Sequence, residues 1–241
     1  MKGLVCCVLM LGLIEHVALA QKSSRGMPDG ETVVRNIERQ YEGIEDYTVT
    51  LTVTVNLERL KVAPMHMTMY FKQPDKIHFD ANGFAMLPKQ AAAMNFGRLH
   101  EHYAVDNRVE PDTADGRSYL RVSLTPKGDR LHIRHVAMDV DPARWTPEKV
   151  RIPLLDGRVM NVSVKYDQLE KHWLPSEAVI TFVVSQGDST APNLLEELAP
   201  NRAGPQIREG VVTIRYSDYQ LNRGLSDDLF KEDGGQKTED R

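Results

Sequence analysis

The stretch from Tyr47 to Leu57 constrains the fold more than any other part of the sequence, because its side chains alternate between apolar and polar. Successive side chains of a β-strand point to opposite faces of a sheet, so this pattern predicts one long strand with an apolar face and a threonine-rich face. The apolar positions are Tyr47, Val49, Leu51, Val53, Val55 and Leu57. A long apolar face must be buried, so the remainder of the chain has to cover it.

A second alternating stretch predicts a β-hairpin. The apolar positions are Met65, Met67, Met69 and Phe71 before the turn at residues 73–75, and Ile77 and Phe79 after it. Apolar residues of a hairpin stabilise it when they face one another across the two strands. Phe71 is therefore expected opposite Ile77, and Met69 opposite Phe79.

Further strands with a less regular pattern follow along the chain. They are predicted at residues 119–125, 131–140, 158–166, 178–184 and 211–221, with a bulge near Arg134-His135 and a turn at Asp156-Gly157. About eight to ten strands are then expected in all, a number that suits a curved sheet or barrel. The predicted fold class is mainly β, with a curved antiparallel sheet forming a half-open β-barrel.

Helical periodicity is scarce in this sequence. The first helix is expected to begin after Asp29 and to end at Gly43, with an apolar side made of Val33, Val34, Ile37 and Tyr41. A second helix is predicted within Pro88–Tyr103, a short third one at residues 193–198, and an extended loop at residues 185–210. So few helices cannot cover the apolar faces of so many strands.

Two kinds of interior fit a sheet that has many apolar strand faces and few helices to cover them. A closed barrel can fill its own centre with side chains, or the sheet can enclose an apolar cavity for a ligand. The methionines on the inward face favour a ligand, because flexible thioether side chains adapt to varied apolar guests, although methionine also fills gaps in fixed cores. The pattern alone leaves both interiors open.

The first twenty residues have the features of a secretory signal peptide. Lys2 precedes an apolar run from Gly3 to Ile14, and Ala18-Leu19-Ala20 supplies small residues at a cleavage point. The apolar run is shorter than the roughly 20 residues needed to span a bilayer. The expected organisation is a signal peptide at residues 1–20, a flexible lead-in at 21–28, one domain at 29–230 and a disordered tail at 231–241.

Composition and motifs argue against several function classes. The formal net charge of -4 at pH 7 gives no reason to expect nucleic acid, whose binders carry concentrated basic faces. The sequence has no nucleophile elbow, no zinc-protease motif and no phosphate-binding glycine loop, so a non-enzymatic protein without a cofactor is expected. A hydrolase with a pair of catalytic carboxylates stays an open alternative, because catalytic groups need not be close along the chain. His100 and His102 form the tightest histidine pair but have no evident third ligand, so no zinc or other metal site is assigned.

The methionine-rich strand offers a different alternative, a periplasmic Cu(I)-binding module. Thioethers bind this soft ion, and Met65, Met67 and Met69 surround His66 and Thr68 in the sequence. Strand alternation places His66 on the face opposite the methionines.

Three segments carry a resemblance to a known family. They are Tyr70-Phe71-Lys72-Gln73-Pro74-Asp75-Lys76-Ile77, Gly83-Phe84-Ala85-Met86-Leu87-Pro88, and Tyr216-Ser217-Asp218-Tyr219-Gln220-Leu221-Asn222 ahead of Phe230. These segments resemble the LolA/LolB-like group of periplasmic lipoprotein carriers and sorting proteins. The resemblance implies an unclosed β-barrel with a hydrophobic cavity and a helical lid.

The resemblance also implies a role and a site. The role is that of a periplasmic monomer that carries lipoprotein or lipid cargo toward the outer membrane, between membrane-bound donor and acceptor proteins. The implied cavity wall is Val49, Leu51, Val53, Val55, Met65, Met67, Met69, Phe71, Ile77, Phe79, Leu120, Val122 and Leu124. The implied lid is Phe84, Met86, Leu87, Met94, Phe96 and Leu99. A lipid-sensing regulatory or scaffold protein of the cell envelope is a further alternative.

Overall fold

A computed structural model of the protein describes residues 26–57, 60–61, 63–80, 96–114, 116–128, 133–153, 159–183 and 209–231. The elements are α1 (Gly30–Arg39), β1 (Asp46–Leu57), β2 (Leu60–Lys61), β3 (Met65–Lys72), β4 (Lys76–Asp80), α2 (Leu99–His102), β5 (Tyr103–Ala114), β6 (Arg117–Pro126), β7 (Val136–Asp141), β8 (Thr146–Pro153), β9 (Val159–Leu169), β10 (His172–Val183), β11 (Glu209–Leu221) and a 3-10 helix at Asp227–Phe230. The signal peptide, the turn at residues 156–157, the helix at 193–198 and nearly all of the predicted loop and tail lie outside the described residues.

The strands form one antiparallel sheet with the order β4-β3-β1-β11-β10-β9-β8-β7-β6-β5, and β2 pairs with the end of β1. The first long strand, β1, therefore lies between β3 and the last strand, β11. Among the described strands, β4 and β5 form the two edges. This arrangement confirms the predicted fold class, which is a mainly β protein with a curved, unclosed sheet and few helices.

The predicted hairpin is confirmed in its register. Met69 of β3 lies opposite Phe79 of β4, and Phe71 lies opposite Ile77. The alternation within β3 is also confirmed, because Met67 and Met69 are buried whereas His66 is exposed. Pairing of apolar residues on a single face was therefore enough to fix this register.

The first helix begins where the sequence predicts and ends earlier. Asp29 Oδ1 accepts a 2.8 Å hydrogen bond from the Thr32 backbone N–H, which caps the helix. The helix ends at Arg39, and Gly43 takes a φ of 87° in the turns that follow. The prediction of a helix continuing to Gly43 was thus wrong at its end. Its buried side consists of Gly30, Val33, Val34 and Ile37.

The second predicted helix is wrong over its described part. Within residues 96–103, only Leu99–His102 is helical, and Tyr103 is the first residue of β5. The sequence analysis missed β5 because most side chains of this edge strand are exposed. Three of them, Asp106, Arg108 and Glu110, are charged, which hides the apolar alternation.

Two further strand predictions needed correction, and one strand was missed. The strand predicted at 131–140 begins at Val136, so Arg134 and His135, where a bulge was predicted, precede it. The register shift between β7 and β8 lies instead between Asp139 and Val140. The strand predicted from 178 begins at His172 and includes a bulge at Pro175. Strand β8 was not predicted, because prolines near its start and at its end resemble turn signals.

The apolar faces of the strands meet in one core, which requires the sheet to curve. A flat sheet of ten strands would be about 43 Å wide, whereas α1, with its 10 residues, is only about 15 Å long. Nevertheless Val49, Val122, Val140 and Ile214, which come from four different strands, are all 0% exposed and belong to one cluster. Strands that are far apart in the sheet order therefore cover one another.

Both ends of α1 are attached to the sheet. At its start, Gly30 lies so close to β5 that an added Cβ would be 2.0 Å from the Asp106 carbonyl oxygen. After its end, the Gln40 carbonyl oxygen accepts a 2.6 Å hydrogen bond from Nδ1 of buried His172, in β10. Since β5 and β10 are five places apart in the sheet order, the helix ties distant strands together.

The segment after β11 is attached to the start of β1 by a buried carboxylate. Asp46 is 3% exposed. Its carboxylate accepts hydrogen bonds from the backbone N–H groups of Arg223, Gly224 and Leu225 at 2.8, 2.9 and 3.1 Å. The Asn222 N–H donates to the Asp46 carbonyl oxygen at 2.8 Å. Several charge-assisted bonds thus converge on one side chain.

An ion pair extends this attachment to the β3–β4 hairpin. Asp227 Oδ1 lies 2.7 Å from Lys72 Nζ and 3.0 Å from Lys76 Nζ. These two lysines lower the pKa of Asp227 to about 2. The 3-10 helix is therefore held beside the hairpin at the same end of the sheet.

Gly30→Ala is expected to destabilise the protein by about 1–3 kcal/mol, because the new Cβ would overlap the Asp106 carbonyl. Alanine is the better helix former, so helix propensity alone predicts the opposite sign. Gly26→Ala is the control, since its Cβ would meet nothing within 4 Å. Urea unfolding measures both changes, and a stabilised Gly30→Ala protein would contradict the contact between α1 and β5.

Asp46→Ala is expected to lower the free energy of unfolding by about 2–3 kcal/mol, because three backbone N–H groups lose a charged acceptor. Hydrogen exchange of the amides of residues 223–225 should become faster. Asp167→Ala, at an exposed position of β9, is the control and should change neither quantity. Unchanged exchange in Asp46→Ala would rule out this anchoring role.

Candidate functional site

The residues predicted to form an apolar wall lie together on one face of the sheet, which we call the inner face. The buried members, each at most 6% exposed, are Val49, Leu51, Val53, Met67, Met69, Phe71, Val122 and Leu124. The half-buried members are Val55, Met65, Ile77, Phe79 and Leu120. The structure therefore brings all of these side chains to a single apolar cluster.

Cross-strand pairing explains why these side chains meet. Leu51 of β1 lies opposite Met67 of β3 and, on its other side, opposite Tyr216 of β11. Val53 lies opposite Met65 and Ile214 in the same way. Apolar side chains on neighbouring strands thus extend the β1 face in both directions.

The inner face is less deeply buried toward the end of β1. Val55 lies opposite Val212 of β11, and Ile152 of β8 lies opposite Met160 of β9. These four residues and Met65 are half-buried, and we call them the apolar rim. Apolar side chains that remain partly in water can gain burial from an apolar ligand.

Three residues of the apolar rim were missed by the sequence analysis. Ile152 belongs to the unpredicted strand β8. Met160 and Val212 lie in predicted strands, but they were not assigned to the wall. Met160, Val162 and Val164 occupy every second position of β9 and therefore share one face, on which Val162 and Val164 are buried. This spacing is the signal that could have identified Met160.

Five tyrosines gather on the inner face toward the start of β1. This tyrosine cluster consists of Tyr41, Tyr47, Tyr166, Tyr216 and Tyr219, and the rings of Tyr47 and Tyr219 are 5.7 Å apart. Burial raises the pKa of each hydroxyl, and neighbouring tyrosines raise the pKa of all but Tyr47 further. All five hydroxyls are therefore neutral at physiological pH.

The structure describes part of the predicted lid. Phe96 is half-buried against the core, and Leu99 of α2 is 5% exposed. Helix α2 contacts both α1 and β5. The other predicted lid residues, Phe84, Met86, Leu87 and Met94, lie outside the described residues.

His100 links α2 to α1 through two carboxylates. Its Nε2 atom lies 2.6 Å from Glu31 Oε2, and its Nδ1 atom lies 2.7 Å from Glu38 Oε2. Burial lowers the pKa of His100, but the hydrogen bonds and charges of Glu38 and Glu31 outweigh burial and raise it above the ordinary value. Lys127 Nζ also donates to the His100 carbonyl oxygen at 2.7 Å. A charged imidazole donates from both nitrogens, so it matches this site.

The outer face of the same sheet is charged. Arg121 Nε lies 2.7 Å from Asp139 on the neighbouring strand. Further along the sheet, Glu177 lies 2.8 Å from Lys165 and 3.1 Å from Arg215. Opposite charges are thus paired across strands, and the extended apolar surface belongs to the inner face.

The geometry of β3 bears on the copper alternative. Met67 and Met69 are 6% and 1% exposed on the inner face, whereas His66 is on the outer face and its Nδ1 lies 3.1 Å from Thr52 Oγ1. The fold therefore separates the histidine from the thioethers. Within the part of the chain that the structure describes, no three His, Cys, Asp or Glu side chains are grouped to hold a metal ion.

Solved structures share this architecture. The chain is similar to a putative outer membrane lipoprotein-sorting protein domain from Vibrio parahaemolyticus, with a TM-score of 0.62, 13% identity, and coverage of 85% of this chain and 97% of that one. It is also similar to a LolA superfamily protein from Nitrosomonas europaea, with a TM-score of 0.59, 10% identity, and coverage of 86% and 99%. The protein has a LolA-like fold. The resemblance predicted from the sequence is thereby confirmed at the level of the fold.

A further similar structure is that of a DUF1329 family protein from Desulfovibrio piger, with a TM-score of 0.58, 10% identity, and coverage of 86% of this chain and 99% of that one. No protein-family model and no curated protein matches the sequence. Among the described helices, none is both long enough and apolar enough to cross a membrane.

Replacing His100 with Gln is expected to remove a pH-dependent part of the stability. Because folding raises the pKa of His100 above its unfolded value of about 6.5, its ion pairs stabilise fully below about pH 6.5. This stabilisation is lost as the pH rises through the folded-state pKa. The difference in unfolding free energy between wild type and His100→Gln should therefore be larger at about pH 5.5 than at about pH 9.

The control for this measurement is His102→Gln, which changes an exposed histidine of the same helix. Urea unfolding of this variant should follow the wild type at both pH values. If His100→Gln differs from the wild type equally at low and high pH, the link between α2 and α1 does not depend on a charged imidazole.

Proposed function

We propose that the protein binds acyl chains of a lipoprotein, or of another lipid, on its inner face and transfers them toward the outer membrane without catalysing a reaction. The observation that carries this proposal is the apolar rim. Its half-buried side chains adjoin a fully buried apolar surface in a LolA-like fold. A matched fold is described as a lipoprotein-sorting domain, which favours lipid-linked cargo over other apolar ligands.

Apolar burial supplies enough free energy for this role. Each methylene group transferred from water to an apolar wall contributes about 0.8 kcal/mol, so one long acyl chain gives on the order of 10 kcal/mol before ordering costs. Such binding needs apolar area and no reactive group. Release then requires an acceptor, such as a membrane or a receptor, that offers the chain equivalent apolar cover.

We assign the described part of the lid to residues 96–102. Phe96 and Leu99 supply its apolar contacts, and His100 attaches it to Glu31 and Glu38 of α1. The lid is thus attached to α1 by ion pairs, whereas it contacts the inner face through apolar side chains. An acyl chain can therefore compete for the apolar contacts without removing the ionic ones.

The proposed location is the periplasm, reached through the signal peptide predicted at residues 1–20. The protein would act there as a monomer between membrane-bound donor and acceptor proteins. An amphiphilic cargo needs such a carrier, because its acyl chains cannot cross an aqueous compartment unshielded.

Native mass spectrometry of the mature protein, purified from a bacterial periplasm without detergent, tests the proposal directly. A carrier should retain lipid or acylated peptide and should release it to acceptor liposomes. Retention without release, together with a partner that binds only the loaded form, would instead identify a lipid sensor. A protein that stays empty and takes up no fluorescent fatty acid would refute lipid binding.

Two neighbouring substitutions separate the inner face from the outer one. Val55→Asp places a carboxylate on the apolar rim, and it is expected to weaken binding of a fluorescent fatty acid about tenfold or more, because burial of a charge is costly. Thr54→Asp places the same group on the exposed face and is the control, with unchanged binding. Circular dichroism should show that both variants are folded. Equal loss of binding in both would contradict an inner-face site.

A further inference from the structure

The hydroxyl of Tyr41 is a buried donor without a hydrogen-bond partner among the residues that the structure describes. Leaving a hydroxyl unpaired in a protein interior costs about 1–3 kcal/mol, so such groups are rare in native proteins and need an explanation. Two other members of the tyrosine cluster show the usual solution. Tyr166 donates to the Pro147 carbonyl oxygen at 2.8 Å, and Tyr219 donates to the Pro175 carbonyl oxygen at 2.9 Å.

The backbone on both sides of Tyr41 is held by hydrogen bonds. Its own N–H donates to the Glu38 carbonyl oxygen at 3.0 Å, and its carbonyl oxygen accepts from the Ile44 N–H at 3.1 Å. The preceding residue, Gln40, is held by His172 of β10. The Tyr41 ring is therefore attached at a fixed point just after α1, and its buried hydroxyl lies near Tyr47 and Tyr216 of the tyrosine cluster.

The tyrosine cluster borders the apolar wall on which we place the ligand. Tyr216 lies directly opposite Leu51, and Tyr47 begins the same row of β1 side chains that continues through Val49. Tyr47 also stacks on Phe71, with ring centroids 4.9 Å apart. An acyl chain on the wall would thus have apolar neighbours along its length and hydroxyl groups at one end.

The chemistry of the cluster selects the kind of polar group that can pair with Tyr41. The Tyr41 hydroxyl is neutral, because burial and the neighbouring tyrosines hold its pKa above the usual value. A neutral donor in an apolar surrounding pairs well with a neutral acceptor, whereas an anion would have to lose its hydration. Carbonyl oxygens of esters and amides are neutral acceptors, and they are the groups through which acyl chains are attached.

We propose that the Tyr41 hydroxyl donates a hydrogen bond to the ester or amide carbonyl oxygen of an acyl chain bound on the inner face. This inference rests on the proposed function and adds a polar subsite to it. The tyrosine cluster then fixes the position of the carbonyl, while the wall holds the hydrocarbon by area alone. Ligands with the same chain but without a carbonyl should bind less tightly.

The test compares two lipids that differ at one group. Monopalmitoyl glycerol is an ester, and hexadecyl glycerol is the ether with the same chain length and head group but no carbonyl. The wild type is expected to bind the ester about tenfold more tightly, the effect of one ordinary hydrogen bond. Tyr41→Phe, which removes only the hydroxyl oxygen, should reduce this ratio to about one.

Tyr219→Phe is the matched control, because its hydroxyl is already paired with Pro175. This variant should keep the ester preference and lose thermal stability. Ligand-free Tyr41→Phe should melt at or above the wild-type temperature, since it loses an unpaired group. An ester preference that survives in Tyr41→Phe would overturn the inference, as would a lowered melting temperature, which indicates a hydroxyl paired with buried water.

Two further outcomes separate this inference from the proposed function. If the wild type binds ester and ether equally, the inference is wrong while lipid binding stands. If the wild type binds neither lipid and also stays empty in native mass spectrometry, the proposed function fails, and the subsite fails with it.

Discussion

The burial of one apolar sheet face is the interaction on which the rest of this structure depends. Strand β1 presents valine and leucine on one face and threonine on the other. The neighbouring strands must therefore also place their apolar side chains on the first face. The described helices are too few to cover a flat sheet of this width. Curvature solves the problem, because strands from different parts of the sheet then cover one another. The same curvature creates the interior in which we propose that an acyl chain binds.

Polar contacts give this core a defined arrangement. Apolar burial has no direction, so it does not by itself fix where a helix or a terminal segment lies. Asp46 fixes the segment after β11, His172 fixes the end of α1, and His100 fixes α2. Each of these side chains joins parts of the chain that are far apart in sequence. They act as connections between elements whose apolar surfaces could otherwise pack in several ways.

The sequence predicts the parts of the fold that depend on local periodicity. The register of β3 and β4 follows from matching Met69 with Phe79, and the apolar wall follows from alternation along β1. Strand β5 was missed because most of its side chains lie at an exposed sheet edge and do not pack in the core. The tyrosine cluster could not be predicted, because it combines Tyr216 and Tyr219 of β11 with Tyr41, Tyr47 and Tyr166 from other parts of the chain. No local pattern reports which distant residues a curved sheet brings together.

The pairing of β1 with β11 has a consequence for how the chain matures. Tyr47 lies opposite Leu221, so β1 and β11 cannot pair completely until the chain has been synthesised as far as Leu221. Contacts between segments so distant in sequence slow folding. During this time the edge of β1 that will pair with β11 exposes backbone N–H and C=O groups without partners. A chain delivered from its N-terminus onward is therefore most prone to aggregation just before β11 arrives, and a holding chaperone would act on it at that stage.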